Sequence, residues 1–269
     1  MVTAIDRDRV HLLGSFITCR RTAVLSFRAL FNWLQPSQFL LAMVATPIME
    51  LVFYTYLGDH LGIEDSRFFV LGGSMLAACM PSIAGGVMAL TSERYFGTLD
   101  HLLMSRRSRA YLLLARAVPY CLAGLVAAAF TLVAGMCLLW TWLAPRQIAI
   151  FLVIMIFGCL SAAFFGMALG VLGLVVRNVF MLLNMAIMGI SLGAGLLVPT
   201  AVLPGWLNAA SAVLPMHHAS AAIRGYSDHG DRSAIWAVAG YELLVALGWS
   251  MVVIAAFHAL ERRMRRGNA

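Results

Sequence analysis

Two carboxylates stand inside apolar runs of this chain: Glu50, three residues after Pro47, and Glu242. An ionisable group within a membrane-crossing helix faces protein or a wet cavity rather than lipid. Both are therefore candidates for lining a translocation path, and an interhelical hydrogen bond is the structural alternative for each. Pro47 frees a backbone carbonyl one turn earlier, so kink and carboxyl could share one aqueous face. His217, His218 and His229 invite a metal reading, but adjacent histidines leave a helix on different faces and no carboxylate stands at zinc-ligand spacing. No metal site is expected. The five cysteines, Cys19, Cys79, Cys121, Cys137 and Cys159, form no C-x-x-C pair and read as small packing residues. No nucleophile–base pair, dinucleotide-binding glycine fingerprint or carboxylate dyad shares an aqueous face, so no catalytic residue is expected. All 19 basic residues are arginine, and a phosphate loop of the G-x-x-x-x-G-K-[ST] kind, which needs its lysine, is excluded.

The elements that must carry these residues are apolar. Of 269 residues 62% are hydrophobic and 12% charged, with a mean hydropathy of +0.88, too little charge to cover a soluble domain. The expected class is an all-α integral membrane protein. A bilayer core asks for about 20 apolar residues per helix, and six stretches qualify: Phe39–Leu57, Phe68–Leu90, Ala117–Leu143, Ile148–Val176, Val179–Val198 and Ala234–Leu260. The first begins too late to be the core of a removed leader. With both ends cytosolic, fifteen arginines fall inside and only Arg67, Arg146, Arg224 and Arg232 outside, as the positive-inside bias requires. Topology thus accounts for the +7 net charge, and no nucleic-acid partner is expected.

The reading divides the chain into residues 1–38, a six-helix domain over 39–260, and a basic cytosolic tail over 261–269. Within 1–38, Leu12, Phe16, Ala23, Phe27, Leu30 and Leu34 share one helical face, giving an amphipathic helix that lies in the membrane interface, or else an ordinary cytosolic helix. Pro36 ends it. Gly166 with Gly170, and Gly189 with Gly193, have the small-residue spacing that lets helices approach closely.

Two segments are not explained by crossing a membrane. The cytosolic TSERYFGTLDHLLMSRRSRAYLLLARA places Leu99, Leu102, Leu103 and Met104 before Arg106, Arg107 and Arg109. It reads as a short docking helix, about 93–110, or as a solvated basic loop. The outer stretch, about 199–233, is too apolar for a free loop and too interrupted for a span. Pro204 and Pro215 each suit the first turn of a short helix, and Trp206 and Tyr226 suit the membrane boundary. Two short re-entrant helices before the last span are expected.

The first segment resembles the coupling region of type-2 ABC transporter permeases, including nodulation-factor and drug or antibiotic export permeases. The pattern E-R-x-x-G-T-L-[DE]-x-L-L is matched by Glu93, Arg94, Gly97, Thr98, Leu99, Asp100, Leu102 and Leu103. The outer stretch resembles the same family's L-P-x-W-L…P…A-x-R-G signature through Leu203, Pro204, Trp206, Leu207, Pro215, Ala222, Arg224 and Gly225. The resemblance implies a transport subunit without an ATPase site or bound cofactor. It implies two copies of a cytosolic ATPase, which hold the ATP and magnesium, and a second permease, identical or a sister chain. The cell membrane, plasma or inner, is the implied location. The expected cargo is a hydrophobic or amphiphilic small molecule entering from lipid, with a lipid-linked glycan or polysaccharide as the alternative. A membrane-embedded lipid-modifying enzyme would need converging polar groups, which are sparse. A proton-coupled carrier commonly shows repeated halves, and none is readable.

Overall fold

A computed structural model describes residues 36–62, 66–95, 97, 109–174, 176, 178–229 and 232–267. All regular structure among them is helical. In chain order the elements are α1 (Pro36–Leu61), α2 (Ser66–Tyr95), α3 (Arg109–Leu138), α4 (Pro145–Gly173) and α5 (Val179–Gly193). A 3-10 turn (Thr200–Val202), α6 (Gly205–Ser211), α7 (His217–His229) and α8 (Arg232–Gly267) follow. The amphipathic helix expected before Pro36 lies outside the described residues, as does most of the coupling segment.

Among the described residues four helices contain stretches long and apolar enough to cross a bilayer: Ser66–Thr91, Arg116–Leu138, Pro145–Gly173 and Trp236–Ala259. In an apolar surrounding a side-chain hydroxyl must find a partner within its own helix or a neighbour. Thr55 donates to the Leu51 carbonyl at 2.8 Å, Ser74 to that of Val70 at 2.6 Å and Thr91 to that of Val87 at 3.0 Å.

Most helix ends depart from the hydropathy boundaries, α3 for one beginning at Arg109 and not Ala117, and three of the departures have a local cause. Helix α3 stops at Leu138 although the apolar run continues to Leu143, because Trp140 turns the chain with a left-handed φ of 52°. Helix α4 begins at Pro145, whose missing N–H is no loss in a first turn; the Gln147 side chain accepts the Ala144 N–H at 2.9 Å. Helix α5 starts on an Asn178 cap that accepts the Met181 N–H at 3.1 Å and ends at Gly193, not Val198. Gly195, at φ 73°, reverses the chain there. With 15 residues, α5 is about 22 Å long, short of a bilayer core of about 30 Å.

Helix α2 is the centre of the bundle, with 83% of its apolar window buried, whereas α8 buries 22% of its own and lies at the edge. Glycines let α2 meet its neighbours at backbone distance. A Cβ at Gly166 would run into the Ile83 carbonyl, and one at Gly86 into the Ala163 carbonyl. At Gly170 it would lie 2.9 Å from the Val87 carbonyl oxygen. The Gly166–Gly170 spacing is thus a true close-approach seam between α2 and α4. Gly189 meets nothing within 4 Å and Gly193 meets only side chains. Helix α1 joins through the buried Leu51, which fits against Gly73 of α2 and Gly135 of α3. Cys79, Cys121 and Cys159 are buried and free, one each from α2, α3 and α4; the Cys121 thiol donates to the Ile156 carbonyl at 3.6 Å.

Candidate functional site

At one end of the bundle, the backbone of Glu93 and Arg94 forms the last turn of α2. Gly97 follows with φ 68°, the left-handed conformation in which glycine commonly terminates a helix. The glycine of the coupling pattern therefore has a local physical role. Thr98, Leu99, Asp100, Leu102 and Leu103 lie outside the described residues. The two helices that frame this segment are tied together where they enter the bundle, because the Arg116 guanidinium of α3 donates to the Ala89 carbonyl of α2. The pattern reading did not single out Arg116 for this contact.

Glu50 and Glu242 occupy unlike places. Glu50 lies on an exposed face of α1, one turn after the buried Pro47, beside exposed Met49, Phe53 and Tyr56. No described residue forms an ion pair with it. Glu242 of α8 has no exposed surface. One oxygen accepts the Met216 N–H at 2.8 Å and the Ser161 hydroxyl of α4. The other accepts the His218 and Ala219 N–H groups, each at 3.1 Å.

The carboxylate thus caps the N-terminus of α7 from a different helix. A helix leaves its first N–H groups without internal partners and carries a partial positive charge there. Burial of a lone carboxylate costs several kcal/mol, and three amides, a hydroxyl and that dipole offset it. Met216, buried at the turn into α7, has φ 69°, a conformation that costs a bulky residue about 1–3 kcal/mol. The bond from its N–H to Glu242 helps to hold it.

Further contacts hold the rest of the α6–α7 segment. The Trp249 indole N–H of α8 donates to the Val213 carbonyl at 3.0 Å, and the Ser220 hydroxyl to the Ala194 carbonyl at 2.7 Å. Arg224 donates to the Leu196 carbonyl at 3.0 Å, with its guanidinium 3.5 Å from the centre of the Phe68 ring. The Leu196 carbonyl sits against Gly72 of α2, in the space a Cβ would occupy. Arg224→Gln is expected to lower stability by about 3 kcal/mol, from a charged hydrogen bond and a desolvated cation–π contact. A thermal midpoint in detergent equal to the parent's would refute that estimate.

Pro204 immediately precedes α6 and Pro215 lies two residues before α7, so each sits just ahead of a first turn rather than in it. Trp206 is 74% exposed. His217 and His218 lie with ring centres 5.1 Å apart. His217 Nδ1 is 3.1 Å from the Ser211 hydroxyl, and His218 Nε2 donates to the Ala212 carbonyl at 3.1 Å. Burial holds the His217 imidazole below its ordinary value, His218 adding in the same direction against a backbone contact at Gly193. Among the described residues no three His, Cys, Asp or Glu side chains converge as metal ligands.

Long apolar helices packed on backbone seams make this a membrane protein. Residues 20–226 match the family model of the ABC-2 type transporter, and the chain belongs to that family. Membership makes it a membrane component of an ABC transporter and implies association with an ABC ATPase subunit. No curated protein matches the chain.

Proposed function

We propose that this chain is the permease of an exporter that moves a hydrophobic or amphiphilic small molecule, such as a drug, an antibiotic or a lipid-like compound, out of the cell. The observation that carries the reading is the family match over residues 20–226. In this reading α1 and α5 complete six spans in the cell membrane and both chain ends are cytosolic. Glu93 to Leu103 contacts the ATPase, and the α6–α7 segment lies on the outer side. Two ATPase copies hold ATP and magnesium, and a second permease, identical or a sister, completes the pathway. Glu50 lines that pathway, because an exposed carboxyl on an apolar helix face would otherwise stand in lipid. A lipid-linked glycan is the second reading; the exposed rings of Phe53, Tyr56, Trp140 and Trp142 would suit sugar stacking.

The test is reconstitution in nanodiscs with the cognate ATPase. The purified permease alone is expected to hydrolyse no ATP, and the complex to turn over with stimulation by an amphiphile. Robust hydrolysis by the permease alone would sink the subunit assignment, and stimulation by lipid-linked glycan only would favour the second reading. Glu50→Gln should leave assembly intact. Loss of one charged contact worth about 1.5 kcal/mol slows export roughly tenfold. Export equal to the parent's at several pH values would make Glu50 structural.

A further inference from the structure

We propose that Glu242 is a positioning residue that keeps α7 fixed to α4 and α8 through the whole transport cycle. That the junction lasts through a transport cycle rests on the exporter reading; the cap itself does not. Toward α4 and α8, one wholly buried carboxylate accepts four hydrogen bonds, from Ser161 of α4 and from the N–H groups of Met216, His218 and Ala219. Both carboxylate oxygens are doubly engaged. Separation there would leave a buried charge and three amides unpaired, and would release Met216 from a left-handed conformation adopted beside that carboxylate.

The same junction is close-packed. A Cβ at Gly158 of α4 would meet the Met216 sulfur at 2.6 Å and the Ala219 Cβ at 3.3 Å. The Trp249 and Phe165 rings meet edge to face with centroids 4.7 Å apart, joining α8 to α4 beside it. On its other side α7 meets the turn after α5 through Ser220 on the Ala194 carbonyl and Arg224 on the Leu196 carbonyl, with the Arg224 guanidinium over the Phe68 ring. Parting α7 from α4 and α8 would strand the Glu242 charge, so a conformational change that moves this segment carries the three helices together.

Two measurements on the full complex test this. Hydrogen exchange at the Met216, His218 and Ala219 amides should be slow in the parent and about tenfold faster in Glu242→Gln. The amide of glutamine cannot accept with both of its terminal atoms, and its NH2 would face backbone donors. Unchanged exchange in that variant would overturn the cap. The second uses the parent with Gly158→Cys and Ala219→Cys, whose Cβ separation is close to that of a disulfide. The bridge is expected to form on oxidation, to leave substrate-stimulated ATP hydrolysis and export within about twofold of the reduced form, and to restore slow exchange when added to Glu242→Gln. Loss of hydrolysis on oxidation that a reductant reverses would show that α7 must leave α4, and would overturn the fixed junction. A parent complex without substrate-stimulated hydrolysis would count against the exporter reading, while the exchange result would still decide the cap.

Discussion

A permease carrying Leu99→Ser and Leu103→Ser together is expected to insert and fold but to lose its ATPase. Neither residue belongs to an apolar span, so membrane insertion has no reason to change. Each leucine contributes up to about 1.5–3 kcal/mol when fully buried in a groove. Losing both weakens the complex by roughly two to four orders of magnitude, and a cluster of that size dominates a small interface. The helices on either side are well placed to carry force. Helix α2 ends at Tyr95 just before the left-handed Gly97, and Arg116 binds the start of the buried part of α3 to α2. Closure of the ATPase would then act on α2, the most buried helix of the bundle. The measurements are co-purification of the ATPase and substrate-stimulated hydrolysis. Unchanged values of both would return the segment to a solvated basic loop.

Gly166→Leu is expected to do the largest damage to the bundle itself. The first atom of any side chain there meets the Ile83 carbonyl, and backbone in the middle of a buried helix cannot swing aside as a side chain can. Overpacking a core costs about 1–3 kcal/mol where side chains yield, and more where they do not. The variant should give little folded protein in detergent and a sharply lowered melting midpoint. Gly189→Leu is the control, since a Cβ there meets nothing within 4 Å; a surface change of that kind shifts stability by about 0.5 kcal/mol or less. Equal midpoints for the two variants would show that the α2–α4 seam does not depend on backbone contact.

These two glycines also show where sequence reading stops. Gly166–Gly170 and Gly189–Gly193 have the same spacing and the same apolar setting, yet the first pair forms the seam and Gly189 faces open space. Spacing says that close approach is possible; the choice of neighbour is made by the whole bundle. The all-helical membrane class was legible because a long run of apolar side chains is a local property. Helix ends were less so. Hydropathy continues past Leu138 and Gly193, and it has no term for the left-handed Trp140 or Gly195 that turns the chain. Glu242 was visible as an expensive residue. Its partners were not, because three of them are backbone N–H groups, which every residue but proline carries, and they converge only once α7 lies against α8. Ser161, Trp249 and Gly72 carry no mark that separates them from other residues of their type. The six-helix count and the coupling segment rest on pattern and family, beyond the described residues at Thr98 to Ser108.

The cap on α7 also has an order in time. The chain is made from its N-terminus, so the amides of Met216, His218 and Ala219 leave the ribosome before the carboxylate that will receive them. About 25 residues separate the two, on the order of seconds of synthesis. During that interval α7 has no Glu242, and the final helix is also what removes its own costly carboxylate from lipid, by delivering it to donors already waiting. Assembly of this region is therefore a closing step that the last span completes. A nascent chain halted before Glu242 would hold all the residues of α6 and α7 and still lack the group that locks them in place.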